Sequence, residues 1–248
     1  MKNNRYKEAL DELNVTLDEQ ELMNRVLNKR KRNHYYIFAI AMILVIGILS
    51  SSALFSRTID LTQSTGHVKV KLMGSKFENI STSASLIYLS ENELFADWVT
   101  DSFYGEVKNI ENIEMKIDDA VDYRAIITFE ILDPIKTSEG NNQEVTILLP
   151  NQIASDIKQS ESDFSSQLTI GTRAVILANR YGESSIYQVN ESILYLQELA
   201  TFGLPDGIRF CMLENPDGTF HYTPDVFTSL ADGKNYFDIK NHIIKMME

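Results

Sequence analysis

The chain has 248 residues, 44% hydrophobic and 23% charged, with a formal net charge of −12. An acidic balance of that size repels phosphate polyanions, which excludes nucleic acid as a partner. The single cysteine, Cys211, excludes an intramolecular disulfide, so the fold must rest on its core.

The charge is uneven. Residues 1–34 hold 8 Lys/Arg and 6 Asp/Glu, whereas residues 56–248 hold 15 and 29. Within the first segment, Tyr6, Ala9, Leu10, Leu13 and Leu17 recur at helical spacing. Thr16-Leu17-Asp18-Glu19 fits a capping box, which predicts a second helix with Leu22, Met23, Val26 and Leu27 on one face. Two short amphipathic helices cannot bury such faces alone. They call for another copy, lipid, or a cytoplasmic protein with a groove; a frayed helix resting on headgroups is the plain alternative.

Lys29, Arg30, Lys31 and Arg32 follow, then an apolar run from Tyr35 to Phe55 without Asp, Glu, Lys or Arg. As a helix its 21 residues reach roughly 31 Å, the thickness of a bilayer core. The basic cluster sets topology: residues 1–34 cytoplasmic, the remainder extracytoplasmic. A cleaved signal peptide is the rival reading, with Ser51-Ser52-Ala53 as its small-residue site. The long leader of mixed charge argues against it. Gly47 and Ser51 form a small-xxx-small pair that fits a dimer through the span.

Residues 56–89 read as a polar stalk carrying one alternating stretch, His67 to Leu72, with Val68, Val70 and Leu72 on one face. Ser90 and Glu93 form a second capping box ahead of Leu94, Phe95, Trp98 and Val99. Predicted strands are Phe103–Ile110, Tyr123–Leu132, Glu144–Leu149, Ala174–Ala178 and Ser185–Val189. Ile208–Leu213 and Thr219–Tyr222 flank Asn215-Pro216-Asp217-Gly218, a hairpin turn. Thr223-Pro224 predicts a short helix, and Tyr236–Met247 a closing amphipathic one. Cys211 lies in an apolar stretch and reads as a core thiol.

Leu94-Phe95-Ala96-Asp97, Phe103-Tyr104-Gly105-Glu106-Val107, Ile127–Leu132 and the stretch Leu168–Leu177 around Gly171 together resemble an extracytoplasmic OB-like barrel family of bacterial lipoproteins and membrane-anchored proteins. The resemblance spans residues 90–190 and implies a shape, not a chemistry. The tail-plus-span layout also resembles membrane-anchored regulators that accompany extracytoplasmic-function sigma factors. The zinc-binding His-x3-Cys-x2-Cys of one such class is missing from the tail.

Catalytic patterns are scarce. His34, His67, His221 and His242 are scattered, and neither a His-Glu-x-x-His nor a phosphate loop is present. Ser155-Asp156-Ile157-Lys158 matches Ser-x-x-Lys without its companion motifs. Glu214, Asp217, His221 and Asp225 form an acidic patch that the hairpin turn explains. Asn79-Ile80-Ser81 and Asn190-Glu191-Ser192 match the glycosylation acceptor pattern. Of the aromatics, Trp98, Tyr104, Tyr123 and Tyr187 are the candidates to line a binding groove, with core packing as the alternative.

The expected class is therefore α+β: a transmembrane helix, an OB-like barrel, and a C-terminal hairpin and helix. The expected units are 1–34 cytoplasmic tail, 35–55 span, 56–89 stalk, 90–190 barrel and 191–248 α+β extension. The expected role is a non-enzymatic, membrane-anchored sensor or regulator, with no cofactor or metal. Its expected partners are lipid, through one span, and a cytoplasmic protein. An extracytoplasmic interaction module with the N-terminus as anchor alone, and an anchored envelope enzyme, are the alternatives.

Overall fold

The computed structural model describes residues 57–73, 88–153, 164–230 and 235–248. The tail, the basic cluster, the apolar run with Gly47 and Ser51, Asn79–Ser81 and Ser155–Lys158 lie outside the described residues.

In chain order the described elements are β1 (Thr58–Ile59), β2 (Val68–Leu72), α1 (Glu91–Asp97), β3 (Asp101–Ile117), β4 (Ala120–Lys136), β5 (Glu144–Leu149), β6 (Arg173–Arg180), β7 (Ile186–Val189), β8 (Ser192–Tyr195), β9 (Phe202–Gly203), β10 (Cys211–Glu214), β11 (Phe220–His221) and α2 (Tyr236–Met246). The expected α+β class with a spanning helix is thereby corrected. The described chain is β-rich with two short α-helices, and none of its helices is long and apolar enough to cross a membrane.

Two local preferences tilt the balance toward strand. The alternation of Ile113, Met115 and Ile117 carries β3 seven residues past its expected end, because every second side chain finds a buried face. The helix expected after Thr223 is a single turn. Thr223 Oγ1 donates to the Ile208 carbonyl at 2.8 Å instead of capping backbone amides.

Nine strands form one sheet in the order β1-β2-β3-β4-β5-β9-β6-β10-β11, and a further β3–β6 pairing closes part of it into a ring. Around that ring every pairing is antiparallel except β5–β9. Inside sit Phe103, Phe129 and Phe202, each with no exposed surface, the Phe103 ring centroid 6.2 Å from that of Phe129 and 5.8 Å from that of Phe202. Burying one such ring stabilises by about 1.5–3 kcal/mol. Residues Ala174–Ala178 of β6 are buried on both faces, since β10 and α2 contribute to the same core.

The capping box of α1 forms as expected. Glu93 N donates to Ser90 Oγ at 3.3 Å, and Ser90 N donates to the Glu93 carboxylate at 2.8 Å. On α2, Asn235 caps the first turn and Ile239 and Ile243 are buried. The Tyr236 hydroxyl and the Lys240 ammonium both donate to Asp133, at 2.7 and 2.6 Å, fastening α2 to β4.

A second core lies beneath the outer half of the β3–β4 hairpin. Val70, Ile113, Met115, Ile117, Ile126, Leu148 and Leu194 fill it, and the β7–β8 hairpin covers it. The segment expected as a stalk thus supplies β1 and β2 to the sheet.

Gly203 in β9 admits a side chain only if Tyr181 moves, because a Cβ there would overlap its phenol. Gly203→Ala should cost about 1–3 kcal/mol through overpacking, read as a lower urea midpoint at unchanged slope. Wild-type stability in that variant would show that β9 and Tyr181 separate freely.

Candidate functional site

Three turns meet at the far end of the β3–β4 hairpin: the bend at Gly66-His67 before β2, the β3–β4 turn at Asp118-Asp119, and the β7–β8 turn at Asn190-Glu191. Asp118 and Asn190 adopt φ of 51° and 52°, the left-handed conformation that Asp and Asn tolerate best among residues with a Cβ. Gly66, at φ 81°, passes so close to Ser192 that a Cβ would collide with it.

Ser192 is the buried pin of this junction. Its hydroxyl donates to Asp118 Oδ1 at 2.7 Å and accepts from the His67 backbone N–H at 2.9 Å. Asn190 Nδ2 donates to Asp118 Oδ2 at 3.1 Å. The Ser192 and then the Asn190 hydrogen bonds hold the Asp118 carboxyl below the usual carboxylate range. Slight desolvation opposes them, and the His67 ring adds a small favourable field. No imidazole stands between hydroxyl and carboxylate, so this Ser, His and Asp grouping does not form a nucleophile and its base.

Around the pin opens a polar groove of about 1080 Å³, lined by Gly66, His67, Val68, Lys69, Lys116, Asp118, Asp119, Asn190, Glu191 and Ser192. Lys69 and Lys116 are direct cross-strand partners in the β2–β3 register, and both are exposed.

A latch holds the chain just before the groove. Glu198 accepts hydrogen bonds from the backbone N–H groups of Thr62, Gln63 and Ser64 and from the hydroxyls of Thr62 and Ser64. Successive amides aimed at one carboxylate make an anion nest. Partial burial pushes the Glu198 carboxyl up, but the hydrogen bonds from the Ser64 hydroxyl, the Gln63 and Thr62 amides and the Thr62 hydroxyl outweigh it and hold it at about 2.

A further cluster joins α1 to α2. His242 Nε2 meets Glu91 Oε1, and the Ser229 hydroxyl donates to the same carboxylate at 3.0 Å. Ser229 Oγ is nearly equidistant from the two ring nitrogens, 3.4 and 3.3 Å. It therefore lies in line with neither lone pair, and the set is a clamp between helices, not a catalytic triad. Among the described residues no group of three or more His, Cys, Asp or Glu is placed to hold a metal ion.

The four aromatic candidates do not share a groove. Trp98 ends α1 and is 38% exposed. Tyr104 lies 4.7 Å from the Tyr236 ring and donates to Glu214 at 2.6 Å; burial, then that carboxylate, pushes its phenol up to about 12. Tyr123 pairs in register with Glu114, ten residues along β3 from Tyr104, or roughly 33 Å. Tyr187 packs under the Arg124 guanidinium at 5.5 Å. Leu22, Met23, Val26 and Leu27, and the cluster Lys29, Arg30, Lys31 and Arg32, lie outside the described residues.

Sequence reading names His67, Val68 and Asn190-Glu191-Ser192 separately and does not bring them together in one groove. The His67-Val68-Lys69-Val70-Lys71 alternation was the available signal, since it puts His67, Lys69 and Lys71 on one polar face. The partner strand that supplies Lys116 could not be read. No family model, curated protein or solved structure matches the chain.

Ser192→Ala should lose about 1–3 kcal/mol, because it strips Asp118 and the His67 amide of their shared partner. Chemical denaturation measures it, and an unchanged midpoint would remove Ser192 as the pin. For Glu198 the folded-state value lies below the ordinary 4.5, so its contribution is complete above about 4.5 and is lost as pH falls toward about 2. Glu198→Gln should therefore cost about 1–2 kcal/mol at pH 7, and the gap from wild type should close between pH 4.5 and 2. A gap independent of pH across that window would exclude the carboxylate latch.

Proposed function

We propose that this chain is a membrane-anchored, non-enzymatic sensor. In this reading the apolar run Tyr35–Phe55 holds it in the membrane with residues 1–34 in the cytoplasm. The β-rich domain outside binds a ligand in the groove between the three turns. The apolar face of Leu22, Met23, Val26 and Leu27 docks a cytoplasmic protein, in the manner of regulators that hold a sigma factor.

The observation that supports this is where one groove wall sits in the chain. Gly66 to Lys69 lines the groove and starts eleven residues after Phe55, with the Glu198 latch at Thr62–Ser64 between them. A ligand that shifts this wall acts on the segment leading directly from the apolar run, and the latch decides how firmly that segment is held. A ligand with different affinity for the latched and unlatched arrangements would bias the tail through it.

The test is a pull-down from solubilised membranes with the intact chain and with Leu22→Asp, Val26→Asp and Leu27→Asp combined. A defined cytoplasmic protein should be retained by the intact chain and lost from the variant. An identical catch from both would reduce the tail to an anchor flank and leave an outer interaction module.

A further inference from the structure

We propose that the groove receives a small anion, its carboxylate or phosphate group held between Lys69 and Lys116. This rests on the reading of the groove as the sensing site and names its ligand class.

The β2–β3 ladder carries the argument. Its inward face is apolar, with Val70, Ile113, Met115 and Ile117 buried. On its polar face Lys71 opposes Glu114, with a 3.6 Å ion pair. The next position on the same face sets Lys69 against Lys116. Beyond it the Asp118 backbone N–H donates to the His67 carbonyl at 2.9 Å, and both Asp118 carboxylate oxygens are already taken by Ser192 and Asn190. Among the described residues neither Lys69 nor Lys116 has an ion-pair partner.

Like charges placed directly opposite on a sheet are destabilising. The Lys71–Glu114 pair shows that this ladder accepts a complementary pair one step away. A local cost carried at a groove, inside a chain of net charge −12, is the mark of a binding position more than of a scaffold position. Two adjacent ammonium groups match the two oxygens of a carboxylate or a phosphate.

The ligand is compact. Asp118, Asp119 and Glu191 also line the groove and repel any anion, a polyanion most, so only a group small enough to sit at the two lysines and clear of the turn tips is admitted. The volume of about 1080 Å³ exceeds what a bare phosphate needs and is just above the roughly 1,000 Å³ upper bound of clefts that take small organic molecules.

The test is calorimetric titration of the full chain in uncharged detergent with inorganic phosphate, citrate and poly-glutamate as probes. Phosphate or citrate should bind saturably and weaken with added salt, while poly-glutamate should not bind. Preference between the first two distinguishes a phosphate from a carboxylate ligand. Lys69→Gln and Lys116→Gln should each lower affinity about tenfold, and Lys71→Gln should leave it unchanged. Lys69→Glu should abolish binding yet raise the melting temperature of the ligand-free chain, by giving Lys116 a cross-strand partner. Absence of saturable binding by phosphate and citrate, tight binding of poly-glutamate, or wild-type affinity in either Gln variant would overturn the proposal. Anion binding that depends on Lys69 while the tail captures no partner would sustain this site and sink only the coupling to the cytoplasm.

Discussion

β3 has to satisfy three neighbours with two edges. β4 runs along one edge for nearly its whole length, so β6 and β2 must share the other. β6 takes Asp101–Glu106 and β2 takes Ile113–Ile117. The changeover is managed by backbone groups: Val107 N donates to the Thr172 carbonyl, Gly171 N to the Val107 carbonyl, and Met73 N to the Asn112 carbonyl. Register shifts at Ser102/Phe103, Tyr104/Gly105 and Val107/Asn109 bend the strand where it turns from ring to arm. The inner half of β3 closes the phenylalanine core and its outer half carries the second core and the groove. One strand therefore fixes the distance between the phenylalanine core and the groove.

The ring is sealed by charge as well as by backbone. Arg180 at the end of β6 donates to both oxygens of buried Asp101 at the start of β3, at 2.7 and 3.2 Å, and to Glu139 at 2.8 Å. Thr100 and Thr137 complete the carboxylate, and the guanidinium lies 4.6 Å over the Phe202 ring. Burial pushes the Asp101 carboxyl up, but Arg180 and the two threonines more than reverse it, leaving it below the ordinary carboxylate range. A planar fork can do this where a lysine could not, since it spans two oxygens while stacking on an aromatic face. The pair specifies where β3 and β6 begin and end relative to each other.

Elements governed by their own residues were legible in the sequence. The Ser90–Glu93 capping box, the Asn215–Gly218 turn, the Asn235-capped final helix and the buried Cys211 each depend on contacts a few residues apart or on plain hydrophobicity. What could not be read is what depends on partners far along the chain. The outer half of β3 carries Glu111, Asn112 and Glu114, and the expected strand stops short of them at Ile110. The Asn112 side chain is held by the backbone of Ile153, to which it donates at 2.7 Å and from which it accepts at 2.8 Å. The groove failed to show for the same reason: Lys69 and Lys116 are 47 positions apart, and only register makes them neighbours. Tyr104, a groove candidate with core packing as its alternative, shares one stack with Tyr236 of the closing helix against Phe220.

Both rims of the nine-stranded sheet are two-residue strands, Thr58–Ile59 at one side and Phe220–His221 at the other. A rim that short offers an incoming chain one or two hydrogen bonds, too few to repay the entropy of lining up. For the described residues this means that crowding many copies side by side, as confinement to a surface would, gives little purchase for sheets to fuse into fibrils. Tapering its edges lets a protein rich in strand stay a population of separate molecules.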